Sequence, residues 1–78
     1  MGNEAIESER VDSSVVISVG YDTARRVLKV RFRSGAVYYY LDVPSEIHRA
    51  LMTAPSIGKF LNEVIKPRFE AVSEREAG

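Results

Sequence analysis

The chain has 78 residues, no cysteine and a formal net charge of zero. This length limits the protein to one domain with a small core. The lack of cysteine excludes disulfides and thiolate metal sites. No apolar run approaches the roughly 20 residues of a membrane-spanning helix, and the first residues lack a signal-peptide pattern. We therefore expect a cytoplasmic protein that does not interact with membranes.

Charge is distributed unevenly along the chain. Residues 1–12 carry a net charge of −3, residues 13–69 carry +5 and residues 70–78 carry −2. Acidic ends therefore flank a basic middle. Such ends can simply keep a small domain in solution, whereas a basic middle also suits an anionic partner.

The first half of the chain predicts a polar lead-in and then a strand. Residues 1–13 have only scattered apolar positions and predict a disordered tail. Residues 14–21 predict a strand, in which Gly20 indicates a bulge or a close backbone approach. Its alternation assigns Ile17, Val19 and Tyr21 to one face and Val16 and Ser18 to the other.

The strongest structural signal is a β-hairpin over residues 27–43. Leu28, Val30 and Phe32 alternate with charged residues, which is typical of a strand with one buried and one wet face. Residues 37–41 are almost all β-branched or aromatic, as a second strand requires. With the preceding strand, the hairpin predicts a three-stranded antiparallel β-meander.

The turn of this hairpin decides where three consecutive tyrosines point. A loop over residues 33–35 needs a positive φ only at Gly35, whereas a two-residue turn would need one at Ser34. The predicted pairs are Phe32 with Ala36, Val30 with Tyr38, and Leu28 with Tyr40. This register places Tyr39 among the cations and its two neighbours on the apolar face. The alternative register, which flips every side chain, stays open.

After Pro44 the apolar spacing changes to that of helices. One helix is predicted over residues 45–54, and a second ends by Pro67. The predicted fold class is α+β, a three-stranded antiparallel β-meander followed by two short helices packed on one face. The domain would cover residues 14–69, and residues 70–78 would form a frayed acidic tail.

The sheet face opposite the helices has no predicted cover. The residues expected on it are Val16, Val27, Lys29, Arg31, Val37, Tyr39 and Leu41. This face is half apolar and half cationic. It suits either a second copy of the chain or an extended polyanion.

An ordered series of short motifs resembles the KTSC domain. The series consists of Ser14, Gly20-Tyr21-Asp22, Leu28-x-Val30-x-Phe32-x-Ser34-Gly35, Tyr38-x-Tyr40-x-x-Val43-Pro44 and Ala54-x-Ser56-x-Gly58-x-Phe60-x-Asn62. Leu61 departs from the family, which often has a second aromatic there. The resemblance covers residues 13–69. It implies a module that also occurs at the C-terminus of some lysyl-tRNA synthetases, with a role in RNA binding and no enzymatic activity.

The candidate nucleic-acid-binding residues are Lys29, Arg31, Arg33 and Tyr39, with Lys59 as a second contact. The cations would neutralise phosphates and the ring would stack on a base. Any solvated strand shows the same alternation, so a structural role stays open. Ser56, Gly58 and Asn62 suit an anion pocket at a helix start, although Ser56 can simply cap the helix.

No catalytic or metal-binding constellation is evident in the sequence. His48 is the only histidine, and the acids are scattered near the ends of elements. We therefore expect no enzymatic activity, cofactor, metal or small-molecule substrate. Two hypotheses remain. The first is a module that binds single-stranded RNA or tRNA, and the alternative is a protein-interaction module that homodimerises through the open face, an edge strand or element swapping.

Overall fold

The computed structural model describes residues 6–74, within which five antiparallel strands form one sheet. In spatial order they are β1 (Ser8–Arg10), β2 (Val16–Asp22), β3 (Val27–Phe32), β4 (Val37–Tyr40) and β5 (Ala71–Ser73). The helical layer contains α1 (Ser45–Met52), α2 (Ile57–Phe60), a π-helical segment at Leu61–Ile65 and α3 (Lys66–Arg68). None of these helices is long and apolar enough to cross a membrane.

The α+β class is confirmed, but the prediction of three strands was wrong. β1 pairs with β2, and β5 pairs with β4, so the sheet gains a strand on each edge. β1 lies in the expected disordered tail, residues 1–13, and β5 lies in the expected frayed tail, residues 70–78. Neither strand has a buried side chain. Both strands are held by main-chain hydrogen bonds to the neighbouring strand, and a hydropathy pattern does not reveal such pairing. Residues 1–5 and 75–78 of those tails lie outside the described residues.

The predicted register of the central hairpin is confirmed. The structure pairs Leu28 with Tyr40, Val30 with Tyr38, and Phe32 with Ala36. Gly35 adopts a φ of 99°, in the left-handed region that favours glycine. Its N–H donates to the Phe32 carbonyl at 2.9 Å. Tyr40 is therefore buried in the core, while Tyr39 projects from the opposite face of the sheet.

A β-bulge in β2 corrects the faces predicted for the start of that strand. Val16 pairs with Phe32 and Ser18 pairs with Arg31, so Ile17 is one extra residue between them. The bulge turns Val16 into the core, where it is fully buried. The prediction that Val16 lies on the open face was therefore wrong, because strict alternation fails where a residue is inserted.

The core lies between β2–β4 and the helices. Its buried members are Val16, Val19, Leu28, Val30, Phe32, Tyr40, Val43, Leu51, Leu61 and Ile65.

The second predicted helix continues beyond Pro67, where we expected it to end. A proline ring crowds the carbonyl four residues before it, and that carbonyl, of Glu63, lies here in the wider π-helical segment Leu61–Ile65.

Gly20→Ala is expected to displace β1 from the sheet. A Cβ at this position would lie 2.5 Å from the Glu7 carbonyl oxygen and 2.9 Å from the Ser8 Oγ. Overpacking of this kind costs about 1–3 kcal/mol. Hydrogen exchange of the Val11 amide, which donates to the Ile17 carbonyl at 3.0 Å, should accelerate.

The matched control for this prediction is Gly58→Ala. Its added Cβ would meet only the Val15 side chain, at 3.4 Å. An alanine inside a helix is favoured over glycine by up to about 1 kcal/mol, so this variant should unfold at the same urea concentration as the wild type or higher. Equal stability of the Gly20→Ala and Gly58→Ala variants would contradict the close approach of β1.

Candidate nucleic-acid interface

The sheet face turned away from the helices, called the open face below, presents its side chains in rows that cross the strands. One row consists of Ser8, Gly20, Lys29, Tyr39 and Val72, and the next consists of Arg10, Ser18, Arg31 and Val37. Directly opposed residues of antiparallel strands project to the same face. The register therefore brings Lys29, Arg31 and Tyr39 together on adjacent strands.

Lys29 and Arg31 supply positive charge at the centre of the open face. Lys29 is half-buried, and its Nζ lies 5.9 Å from the centroid of the Tyr39 ring, which is within cation–π range. Arg31 is exposed. Within residues 6–74 neither side chain makes an ion pair. Both cations are thus available to an anion arriving from solvent.

Tyr39 supplies the aromatic surface beside these cations. Its ring is half-buried, and its hydroxyl donates a hydrogen bond to Oε1 of Glu74 at 3.0 Å. Burial raises the pKa of the Tyr39 hydroxyl, as do the hydrogen bond and the charge of Glu74, whereas Arg31 lowers it. The hydroxyl stays protonated at neutral pH and holds an acidic side chain at the margin of the open face.

Arg33 and Lys59 are not grouped with the other candidates. The Nε of Arg33 donates to the Ser13 carbonyl at 2.8 Å, which directs the guanidinium towards the chain just before β2. Lys59 is exposed on α2, in the helical layer that covers the other side of the sheet. Both are therefore peripheral to the open face.

The predicted anion-pocket residues do lie together, around an open cavity of about 430 Å³. Ser56, Gly58 and Asn62 line it with Lys59. The Oγ of Ser56 accepts from the Lys59 N–H at 3.3 Å, so this oxygen caps the helix. Asp12 and Glu63 also line the cavity and oppose an anion there.

The two tyrosines of the family motif lie on the helix side of β4. Tyr40 is only 3% exposed, whereas Tyr38 is 36% exposed. The Tyr38 ring packs edge-on against Phe32, with the ring centroids 5.8 Å apart. Burial raises the pKa of Tyr40, and Tyr38 adds to the effect. Tyr40 is thus a core residue, and Tyr38 is an exposed aromatic at the edge of the core.

A groove between β1 and α1 was not predicted from the sequence. This open cavity of about 820 Å³ is lined by His48, whose ring stacks on Tyr21 with centroids 4.6 Å apart and planes at 7°. The Tyr21 hydroxyl donates to the Val43 carbonyl at 2.6 Å, which fixes the stack. Because β1 was not predicted, His48 had only the pattern of a solvated helix residue.

The environment of His48 is expected to make the stability of the fold depend on pH. Burial lowers its pKa below the usual 6.5, and Arg49 lowers it further, whereas Glu9 raises it. The unfolded chain therefore binds the proton more readily, and stability falls as the pH falls below about 6.5. Urea unfolding across this range should show a smaller decline for His48→Gln. An identical decline in the variant would assign the effect to the carboxylates instead.

The fold, together with Lys29 and Arg31 on the open face, defines a small α+β domain with a cationic sheet surface. In the described part of the chain, no group of three or more His, Cys, Asp or Glu could hold a metal ion. The family model described as the KTSC domain matches residues 12–69. The chain belongs to the KTSC domain family, and the resemblance of its motifs is confirmed. This is a family of small domains of unknown function and not a known enzyme family.

Relatives agree with this assignment. A crystal structure of a KTSC domain protein from Yersinia pestis superposes with a TM-score of 0.83 at 40% identity, covering 87% of this chain and 96% of that one. A protein of Tsukamurella paurometabola is 46% identical over 63 residues, which are 81% of this chain and 94% of the relative. A lysine–tRNA ligase of Nostoc punctiforme is 36% identical over 59 residues, 76% of this chain but 10% of the ligase.

Proposed function

We propose that this protein is a non-catalytic module that binds single-stranded RNA or tRNA through its open face. The observation that carries the proposal is the placement of Lys29 and Arg31 beside Tyr39, with no ion pair to either cation within residues 6–74. Proteins bind single strands by combining a cationic surface with aromatic rings on which bases stack. A module of this kind would act in the cytoplasm.

The ligase relative supports the choice of RNA. Its name gives tRNA as what it acts on, and the matching segment is only a tenth of its length. A segment so small beside the rest of an enzyme is suited to supply an additional contact rather than the reaction. We infer that the matching segment of this chain retains an RNA contact.

Arg33 and Lys59 would add phosphate contacts outside the open face. Arg33 is exposed near the cavity that Ser13 helps to line, and Lys59 lies on the wall of that cavity with Ser56, Gly58 and Asn62. Asp12 and Glu63 line the same cavity and weaken it as an anion site. We therefore assign the main affinity to the open face and a smaller share to these residues.

An RNA titration of the full chain, followed by amide chemical shifts, tests this function. Shifts should cluster in β3 and β4. The logarithm of the association constant should fall by about 0.7 for each phosphate contact when the salt concentration rises tenfold. Single-stranded RNA and tRNA should bind more tightly than an inorganic phosphate control. The absence of shifts at high RNA concentration, or shifts restricted to α1 and α2, would refute the proposal.

The alternative proposal is a homodimer. Val27, Leu41 and Val72 are half-exposed on or beside the open face, and β1 and β5 are short edge strands that another chain can pair with. Val37 does not add to this patch, because it is only 7% exposed. Light scattering at micromolar concentration should show twice the monomer mass if this proposal holds. A monomer mass at all concentrations would contradict it.

A further inference from the structure

An aromatic cleft lies on the opposite side of β4 from the open face. It has a volume of about 320 Å³ and is called the Tyr38 cleft below. Its lining residues are Tyr38, Tyr40, Lys66, Phe69 and Ala71. None of them is among the cations of the open face, so the cleft is a separate site.

The wall of the cleft is an exposed ring held in a defined orientation. Tyr38 and Val15 are the large hydrophobic side chains that the described residues leave exposed. The Tyr38 ring packs edge-on against Phe32 at 78° and lies 6.5 Å from the Tyr40 ring. In the described part of the chain, the Tyr38 hydroxyl makes no hydrogen bond. The exposed Tyr38 ring is therefore available as a stacking surface on the wall of the cleft.

A cation stands at the rim of the same cleft. The Nζ of Lys66 lies 5.7 Å from the centroid of the Phe32 ring, and the side chain is exposed. Lys66 makes no ion pair within residues 6–74. The cleft thus combines a stacking surface with an unneutralised positive charge, which matches a planar ring that carries a phosphate.

We propose that the Tyr38 cleft binds one unpaired RNA base, with Lys66 against the phosphate of that nucleotide. This inference rests on the proposed RNA-binding function and extends it to the helix side of the sheet. Tyr38 and Tyr39 are consecutive in β4 and project to opposite faces. Only the three-residue β5 separates them from the sheet edge. A single strand that passes around this edge contacts both tyrosines.

Tyr38→Trp provides the test, because the chain has no other tryptophan. Binding is followed by the anisotropy of a labelled single-stranded RNA, and occupation of the cleft by tryptophan emission. We expect the intact RNA to quench the emission and an abasic strand of equal length to bind without quenching.

Tyr38→Ala should weaken RNA binding about tenfold, and Tyr38→Phe, which keeps the ring, should bind like the wild type. Lys66→Gln should weaken binding about twofold to fivefold, as expected for one phosphate contact.

The two readouts separate failure of the cleft from failure of the function. RNA that binds by anisotropy without changing the emission would overturn the cleft and leave the open-face proposal standing. A flat anisotropy titration would overturn both. Quenching by a proline-rich peptide but not by RNA would also overturn the inference, in favour of a peptide groove. If Tyr38→Trp distorts the fold by circular dichroism, the affinities of the alanine and phenylalanine variants decide, and equal values refute the cleft.

Discussion

Replacing Lys29 and Arg31 together by glutamate is expected to weaken binding of single-stranded RNA at least about a hundredfold at moderate salt. The double variant loses two phosphate contacts and adds two like charges, and like-charge juxtaposition costs several kcal/mol. For single strands, each lost contact also reduces the salt slope by about 0.7. Filter binding at several salt concentrations measures both effects.

The fold should survive this double substitution. Arg31 is exposed and Lys29 is half-buried, and neither makes an ion pair within residues 6–74. The main structural loss is the contact of Lys29 with the Tyr39 ring, which is worth about 0.5–1 kcal/mol. Urea unfolding should therefore shift only slightly. A variant that unfolds would make the loss of binding uninformative, so both measurements use the same samples.

Arg49→Glu is the matched control for Arg31→Glu. Both arginines are exposed, and each change alters the net charge by the same amount, but Arg49 lies on α1 in the helical layer. Only the Arg31 variant should lose affinity strongly. Equal losses would mean that RNA responds to total charge, and unchanged binding in both would rule out the open face.

Local constraints explain why the hairpin was predictable from the sequence. The alternation of Leu28, Val30 and Phe32 identifies the buried face of one strand, and a single glycine at the turn selects the register. The structure has the same register, with Gly35 at positive φ. The open face follows from that register alone, so Lys29, Arg31 and Tyr39 were assigned correctly to one side of the sheet.

Long-range contacts explain what the sequence did not show. β1 and β5 consist of exposed or half-buried residues, and their order comes from pairing with strands that are distant in sequence. The bulge at Ile17 depends on the ladder with β3, because only the partner strand shows that a residue is extra. The Tyr21–His48 stack likewise joins a strand residue to a helix residue, and the spacing of apolar residues within one element cannot predict such a contact.

Leu28→Ala is expected to destabilise the fold strongly and to leave most of the protein unfolded at room temperature. Leu28 is fully buried in the central strand. Leucine-to-alanine changes in cores cost about 2–5 kcal/mol, and a single core of this size rarely supplies more than about 3–5 kcal/mol. Thermal unfolding by circular dichroism should show a much lower midpoint or no transition.

The neighbours of Leu28 place this cost at the upper end of the range. Tyr21 and Tyr40 pair with it on the two adjacent strands, and the Tyr21 hydroxyl is anchored on the Val43 carbonyl. Fixed rings cannot collapse into the cavity, and the cost rises with the cavity that remains. Leu41→Ala is the control, because the half-buried Leu41 should lose only about 1 kcal/mol. Similar unfolding midpoints for the two variants would show that β3 does not form the centre of the core.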